Sequence, residues 1–422
     1  APEGIIAESE ANATRLFGTA HSYYSTEGSS QCIRAMLFLA LQSAPQNGKR
    51  PVLLAARNAH KALLYAAALL DFDIRWLWPS AQAEGALCSC PVTAEALTGA
   101  LHALAQQGIE PFGVYVTSPD YLGGVQDIPA MAAVCRAQGV PLLVDNAHGA
   151  YLRFLPQNCH PIAQGAAMCC DSAHKTLPVV TGGAYLHLAH DAPVQDEAAV
   201  RGALALFGST SPSYLILQSL DACNAVLAGD YPRRLAQCCA ALEGLRSSLN
   251  KTAAARQCPL PLAVAGAQQE PMKLTLDAAA LGCTGTALAE ALRRAQMECE
   301  YADPRYVVLM FTPENPPQDY TRLQTALEQL LAAVPAGLPR PENRAGEFAA
   351  LQQQAVQRCT IRQAVLGAQV RVPVHKALGR VCAMPTVSCP PAIPVAVSGE
   401  EITPAAIALM QRYGIEELSV LR

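Results

Sequence analysis

The chain is 422 residues long, 51% hydrophobic and only 15% charged, with a formal net charge of −4. That length allows about two or three domains and a substantial core, and the composition argues against a disordered or fibrous chain. Near-balanced charge, without long runs of one sign, gives no electrostatic basis for binding nucleic acid or an anionic membrane surface.

The first half alternates short apolar runs with longer helical patterns. Strands are expected over 51–55, 74–78, 113–117, 141–145, 166–170 and 183–188, and helices over 30–42, 58–70, 93–106 and 129–138. Such alternation predicts an α/β fold, with a mostly parallel sheet flanked by helices on both faces. A long helical pattern covers 217–246, with a break at Pro232, and a smaller α/β region follows, with strands near 272–276 and 306–311. The Pro- and Gly-rich stretch 333–347 reads as a linker. Beyond it lies a tail domain of about eighty residues.

Sixteen cysteines occur as doublets or inside apolar segments. They read as small buried hydrophobes in a reduced, cytoplasmic protein. Cys88 and Cys90 have no second pair at zinc spacing, so no metal site is expected. No apolar run approaches bilayer-spanning length, and no signal pattern opens the chain. Because the sequence starts at Ala1 and not at Met, its natural N-terminus is expected upstream.

In a parallel α/β sheet, ligands bind beyond the carboxyl ends of the strands, and polar residues cluster there in this sequence. "PVLLAA" is followed by Arg57, Asn58, His60 and Lys61, and "GVYVTSP" by Asp120 and Tyr121. "PLLV" runs into "DNAHGAY", and "AAMCC" into "DSAHK". Lys175 alone reads as an ordinary loop lysine, although a desolvated amine suits Schiff-base chemistry with a carbonyl cofactor. Asp145, ending an apolar strand, either caps the following turn or serves as the carboxylate that keeps a pyridine nitrogen protonated. Gly28, Ser29 and Ser30 precede a helical pattern, where free backbone N–H groups suit a phosphate, though serines there are also common N-caps. Gly208 to Ser211, ahead of Pro212, carries the same ambiguity. His60 and His148 follow strands and each reads alone as a structural histidine, with stacking on a flat ring or bonding to it as the alternative, and Asp171 reads as a turn residue.

With this constellation assembled, the sequence resembles the ornithine/lysine/arginine decarboxylase family, pyridoxal 5'-phosphate (PLP) enzymes of the aspartate-aminotransferase fold, fold type I. "SAHKTLPVVTGGAYLH" is close to the family's cofactor-attachment signature and "VDNAHGAY" to its strand-end aspartate motif. "RNAHKALLYA", "VYVTSPDYLGGVQDI" and "STSPSYLILQSLDA" match in order and spacing, and "PPAIPVAVSGEEIT" resembles the start of the C-terminal domain. The resemblance implies a PLP-binding large domain over 1–235, a smaller α/β region over 236–335 and a decarboxylase-type C-terminal domain over 348–422.

It also implies that Lys175 forms the internal aldimine, Asp145 pairs with the pyridine nitrogen, His60 stacks on the ring, and Ser29 and Ser30 hold the phosphate. Ser172 and His174 sit beside the attachment point, with Ala147 and His148 lining the pocket. Thr210 and Ser211 reach the phosphate of a neighbouring subunit, which implies a homodimer. The expected activity is decarboxylation of lysine, arginine or ornithine, with His174 or the freed Lys175 returning a proton to the α-carbon. The product would be an amine such as cadaverine, agmatine or putrescine, as in polyamine biosynthesis. The alternatives are another PLP activity (an aminotransferase or carbon–sulfur lyase) and a degenerate relative that binds PLP without turnover.

Several positions depart from the family pattern. Asn146 and Tyr151 replace a glutamate and a histidine of the strand-end motif. Met384, Cys389 and Ala392 stand where glutamate, tyrosine and glycine are common in the tail. A Pro-Gly-His-Lys stretch usual near the N-terminus is absent from the sequence.

Overall fold

The computed structural model describes residues 3–44, 48–79, 86–335, 338–339, 345–385 and 392–422. Its central sheet has seven strands: β1 (His21–Ser25), β2 (Val52–Ala56), β3 (Asp73–Leu77), β4 (Val114–Thr117), β5 (Leu142–Asp145), β6 (Met168–Asp171) and β7 (Ala184–Leu188). They lie in the spatial order β1-β7-β6-β5-β4-β2-β3. From β3 across to β6 every pair is parallel, while β7 runs antiparallel to both β6 and β1. Every residue of β2, β5, β6 and β7 is buried, because helices cover both faces of the sheet.

The expected elements shift by a residue or two, with one larger difference. The helix expected over 58–70 begins at Lys61. His60 is its N-cap, its Nδ1 accepting from the Ala62 N–H at 3.1 Å. Arg57 cannot enter the helix because its buried guanidinium lies 5.1 and 5.2 Å from the Trp76 and Trp78 ring centres and donates to the carbonyls of Pro394 and Val395. The helix Ile5–Phe17 and strand β1 are not anticipated by the periodicity.

The sequence 217–246 folds as two helices, Tyr214–Ala228 and Tyr231–Ala255, with Pro232 in the first turn of the second. The second runs unbroken across residue 235, and its Leu235, Leu242 and Leu249 share a core with Leu274 and Leu276 of the next sheet. That sheet comprises β8 (Lys273–Asp277), β9 (Tyr301–Ala302) and β10 (Tyr306–Met310), antiparallel in the order β8-β10-β9. A third sheet closes the chain, with β11 (Gln369–Pro373), β12 (Cys382–Met384) and β13 (Glu417–Leu421) in the order β11-β13-β12. The helix Ala345–Gln354 already begins within the expected linker. Cys389 lies outside the described residues.

The cysteines among the described residues are free thiols, and most are buried. Among those residues, no helix is long and apolar enough to cross a membrane.

Candidate active site

The carboxyl ends of β2, β4, β5 and β6 open into one cavity of 560 Å³. Its wall brings together Ser29, Ser30, His60, Asp145, Ala147, His148, Ser172, His174 and Lys175, along with Glu27, Thr117, Tyr121 and Glu300. Thr210 and Ser211 are not on this wall; they are exposed beside Ser209, whose backbone N–H donates to Glu27.

Lys175 stands in the short helix Ala173–Thr176 that follows β6. Its backbone N–H donates to the Ser172 carbonyl at 3.0 Å, and His174 is tied to the carbonyl of Gly183 through both its backbone N–H and Nδ1, the latter at 2.9 Å. The turn back into β7 depends on Gly182, at φ 103°, whose carbonyl accepts from the Gly28 N–H at 2.8 Å. A Cβ there would sit 2.9 Å from the Thr26 carbonyl oxygen, so only glycine lets the two loops meet. The Ser172 hydroxyl donates to that of Ser29 at 2.7 Å, which joins the lysine loop to the N-terminus of the helix Ser29–Gln42. Gly28, at φ 73°, turns the chain so that the first N–H groups of this helix face the cavity region as a ready anion site.

The Lys175 amine lies 3.1 Å from His148 Nε2. Burial lowers the His148 pKa well below its ordinary 6.5, and the charges of Lys175 and Lys273 add to the effect. His60 is lowered to about 4, again chiefly by burial. Burial also lowers His174. All three imidazoles are therefore neutral near pH 7.

Asp145, 2% exposed, is the last residue of β5. It accepts from the Tyr115 hydroxyl at 3.0 Å, the Ala147 N–H at 3.1 Å and the Cys170 thiol at 3.6 Å. These contacts fix the Asp145 side chain on the cavity floor. Thr117 Oγ1, also on the wall, is buried without a hydrogen-bond partner among the described residues, so a polar ligand has an unmet group to engage there.

Asp171 corrects the sequence reading. It ends β6 fully buried and is no turn residue. It accepts from Asn146 Nδ2 at 2.6 Å, and its other oxygen lies 3.1 Å from His160 Nε2 and 3.2 Å from His187 Nε2. Burial alone would raise its carboxyl, but the two imidazoles outweigh that and hold it well below the usual range.

Three of the departures from the family pattern, Asn146, Tyr151 and Met384, are not on the cavity wall. Asn146 points at Asp171, the Tyr151 hydroxyl donates to buried Glu270, and Met384 pairs with Ser419 in the tail sheet. Ala392 does line the cavity, and its carbonyl accepts from the Lys61 N–H at 3.0 Å. Sequence reasoning missed Thr117 and Glu300 as wall residues, and it noted Tyr121 only as a strand-end residue.

The model of the Orn/Lys/Arg decarboxylase major domain matches residues 1–264. The chain belongs to the Orn/Lys/Arg decarboxylase family. Members of this family are PLP-dependent carboxy-lyases, and the relatives agree in extent. The chain is 26% identical over 409 residues to the arginine decarboxylase of Bacillus subtilis, covering 96% of this chain and 80% of the relative. It superposes on the constitutive lysine decarboxylase of Escherichia coli with a TM-score of 0.74 at 18% identity, over 99% of this chain and 72% of that one. Lysine decarboxylase A from Pseudomonas aeruginosa gives 0.75 at 17% identity, over 100% and 72%. As a decarboxylase-family site, the wall suits PLP. Lys175 offers an amine that could attach it, and Asp145 a carboxylate that could meet its nitrogen. The N-terminus of the helix Ser29–Gln42 can take its phosphate, and His60 and Ala147 can enclose its ring.

Proposed function

We propose that the chain decarboxylates a basic amino acid (lysine, arginine or ornithine) to the corresponding amine, at PLP attached to Lys175. The observation that carries this reading is the convergence of the Lys175 amine and the Asp145 carboxylate on one cavity, at the ends of neighbouring strands. When bound, PLP supplies the electron sink that accepts the bonding pair left as carbon dioxide departs.

The chain's own groups do the rest. Asp145, fixed by Tyr115 and Ala147, favours the protonated ring nitrogen. His148 Nε2 takes the Lys175 proton and frees the amine. His174 donates its Nδ1–H to the Gly183 carbonyl, which holds the ring beside the reacting amine, and the freed Lys175 ammonium supplies the proton that the α-carbon takes up. Ser29, Ser30 and Ser172 seat the phosphate.

A homodimer completes the reading. Val180, Leu206, Tyr214 and Leu215 are 54, 60, 73 and 73% exposed. Leu206, Tyr214 and Leu215 flank Thr210 and Ser211 in sequence, an apolar surround suited to a second copy whose phosphate those two hydroxyls reach. The test is carbon dioxide release from a panel of amino acids with added PLP, alongside the visible absorption of the bound cofactor. Release from a basic amino acid, lost in Lys175→Ala together with the visible band, supports the reading. A keto acid product without carbon dioxide, or no turnover of any amino acid, overturns it.

A further inference from the structure

We propose that Glu300, oriented by Tyr121, is the subsite that receives the positively charged end of the substrate side chain. This rests on the reading of the cavity as an amino-acid site and names the group that selects basic ones.

Four ordinary charged side chains line the cavity: Glu27, Asp145, Lys175 and Glu300. Asp145 and Lys175 are committed to the cofactor. Glu27 precedes the phosphate cradle and accepts from the Ser209 N–H, which places it at the phosphate end. Glu300 comes from a different part of the chain, immediately before β9, and reaches the cavity from the small sheet.

A continuous line of contacts connects it to the reacting amine. Lys175 Nζ is 3.1 Å from His148 Nε2, and the His148 ring packs edge-on against Tyr121 with centroids 4.8 Å apart. The Tyr121 hydroxyl donates to Glu300 Oε1 at 2.7 Å. An amino acid whose α-nitrogen takes the place of the Lys175 amine can run its side chain along His148 and Tyr121 toward Glu300. The methylene stem then lies on aromatic surface and the cation meets a carboxylate.

The electrostatics make that carboxylate necessary. Lys273 is 3% exposed and lies 5.6 Å from the Tyr121 ring centre. Its amine donates to the Asp120 carbonyl, and the carboxyl groups of Glu270, Asp120 and Glu300 face it. A second cation arriving over Tyr121 would be repelled by Lys273 unless a negative charge stood beside it, and Glu300 stands there. Among the described residues the remaining Oε2 of Glu300 accepts no hydrogen bond. It is therefore open to an ammonium or guanidinium group.

The test compares lysine with norleucine, its counterpart without the terminal charge, on the PLP-loaded chain and on Glu300→Gln. Affinity is read both from the change in the cofactor's visible band and by calorimetry. Circular dichroism and the unperturbed band report that the variant is folded and loaded. In the unaltered chain lysine binds more tightly than norleucine. Glu300→Gln weakens lysine about tenfold and leaves norleucine nearly unchanged, with Tyr121→Phe moving lysine in the same direction by less. An unchanged lysine-to-norleucine ratio in Glu300→Gln overturns the proposal. Because binding is read directly, absence of carbon dioxide release would count against decarboxylation alone, and the ratio would still decide the role of Glu300.

Discussion

The amine of Lys175 and Nε2 of His148 lie 3.1 Å apart, and His148 Nδ1 is buried without a partner among the described residues. The imidazole is thus a neutral base with one committed nitrogen. His148→Phe keeps the ring against Tyr121 but removes the acceptor. The expected outcome is a chain that still binds PLP and shows the visible band, with carbon dioxide release slowed about a hundredfold. A variant as fast as the parent would remove His148 from the proton path.

Asp145→Asn changes one atom type on the cavity floor. The amide oxygen can still accept from the Ala147 N–H, and the Tyr115 hydroxyl can turn to accept from the amide NH2, so folding survives, but the charge opposite the ring nitrogen is gone. Losing a charge-assisted hydrogen bond of about 3 kcal/mol corresponds to roughly two decades in rate. Turnover assays should show that drop, while thermal unfolding moves little. Equal losses in both would mean that Asp145 is structural.

Removing the carboxylate of Asp171 should have the opposite profile. Asp171→Ala strands the imidazoles of His160 and His187 and the amide of Asn146 in a buried site. The expected cost is about 3–5 kcal/mol in urea unfolding. Asp171→Asn, which keeps one acceptor, should lose less. A near-neutral Asp171→Ala would show that these groups find other partners.

The site's two principal groups were legible because Asp145 ends one apolar strand and Lys175 follows closely after another, and those strands are neighbours in the sheet. Neither Asp145 nor Lys175 was decisive alone; the two stood out together, as part of one set of polar residues at strand ends. Asp171 did not. Its partners lie 11 and 16 residues away and meet it only across the sheet face, so a buried carboxylate looked like a turn. Strand β1 was missed because "HSYYS" carries hydroxyl groups that its periodicity cannot show to be satisfied. In the fold Ser22 bonds His187, and Tyr24 bonds Ser9 and Asn224. Glu300 was out of reach for the same reason: a separate sheet delivers it.

The neutral histidines set an acid limit on stability. Burial lowers His60, His148, His174 and His187 below 6.5, His60 to about 4. Between these values and 6.5 the unfolded chain binds more protons than the native one. Stability is therefore complete above pH 6.5 and lost as pH falls toward 4, by a contribution of order 1 kcal/mol for each buried group. Asp171 adds nothing in this window, since its carboxyl stays ionised throughout. Urea midpoints of the PLP-free chain should fall steadily from about pH 7 to about pH 4.5, and less steeply in His60→Asn. Midpoints flat with pH would contradict the burial argument.

Ala392 holds a left-handed backbone, φ 58°, at the rim of the cavity. Its carbonyl must face the first N–H of the helix Lys61–Leu70, and that hydrogen bond of 3.0 Å compels the conformation. A Cβ in this region costs about 1–2 kcal/mol, which glycine avoids at an entropic cost of about 0.5–1 kcal/mol. Ala392→Gly, restoring the residue common in the family, should therefore stabilise the chain by about 0.5–1 kcal/mol in urea unfolding. Ala392→Val adds β-branching at the same φ and should destabilise it by more than that. If both variants shift the midpoint in the same direction, the backbone at 392 is not under the strain that its φ indicates.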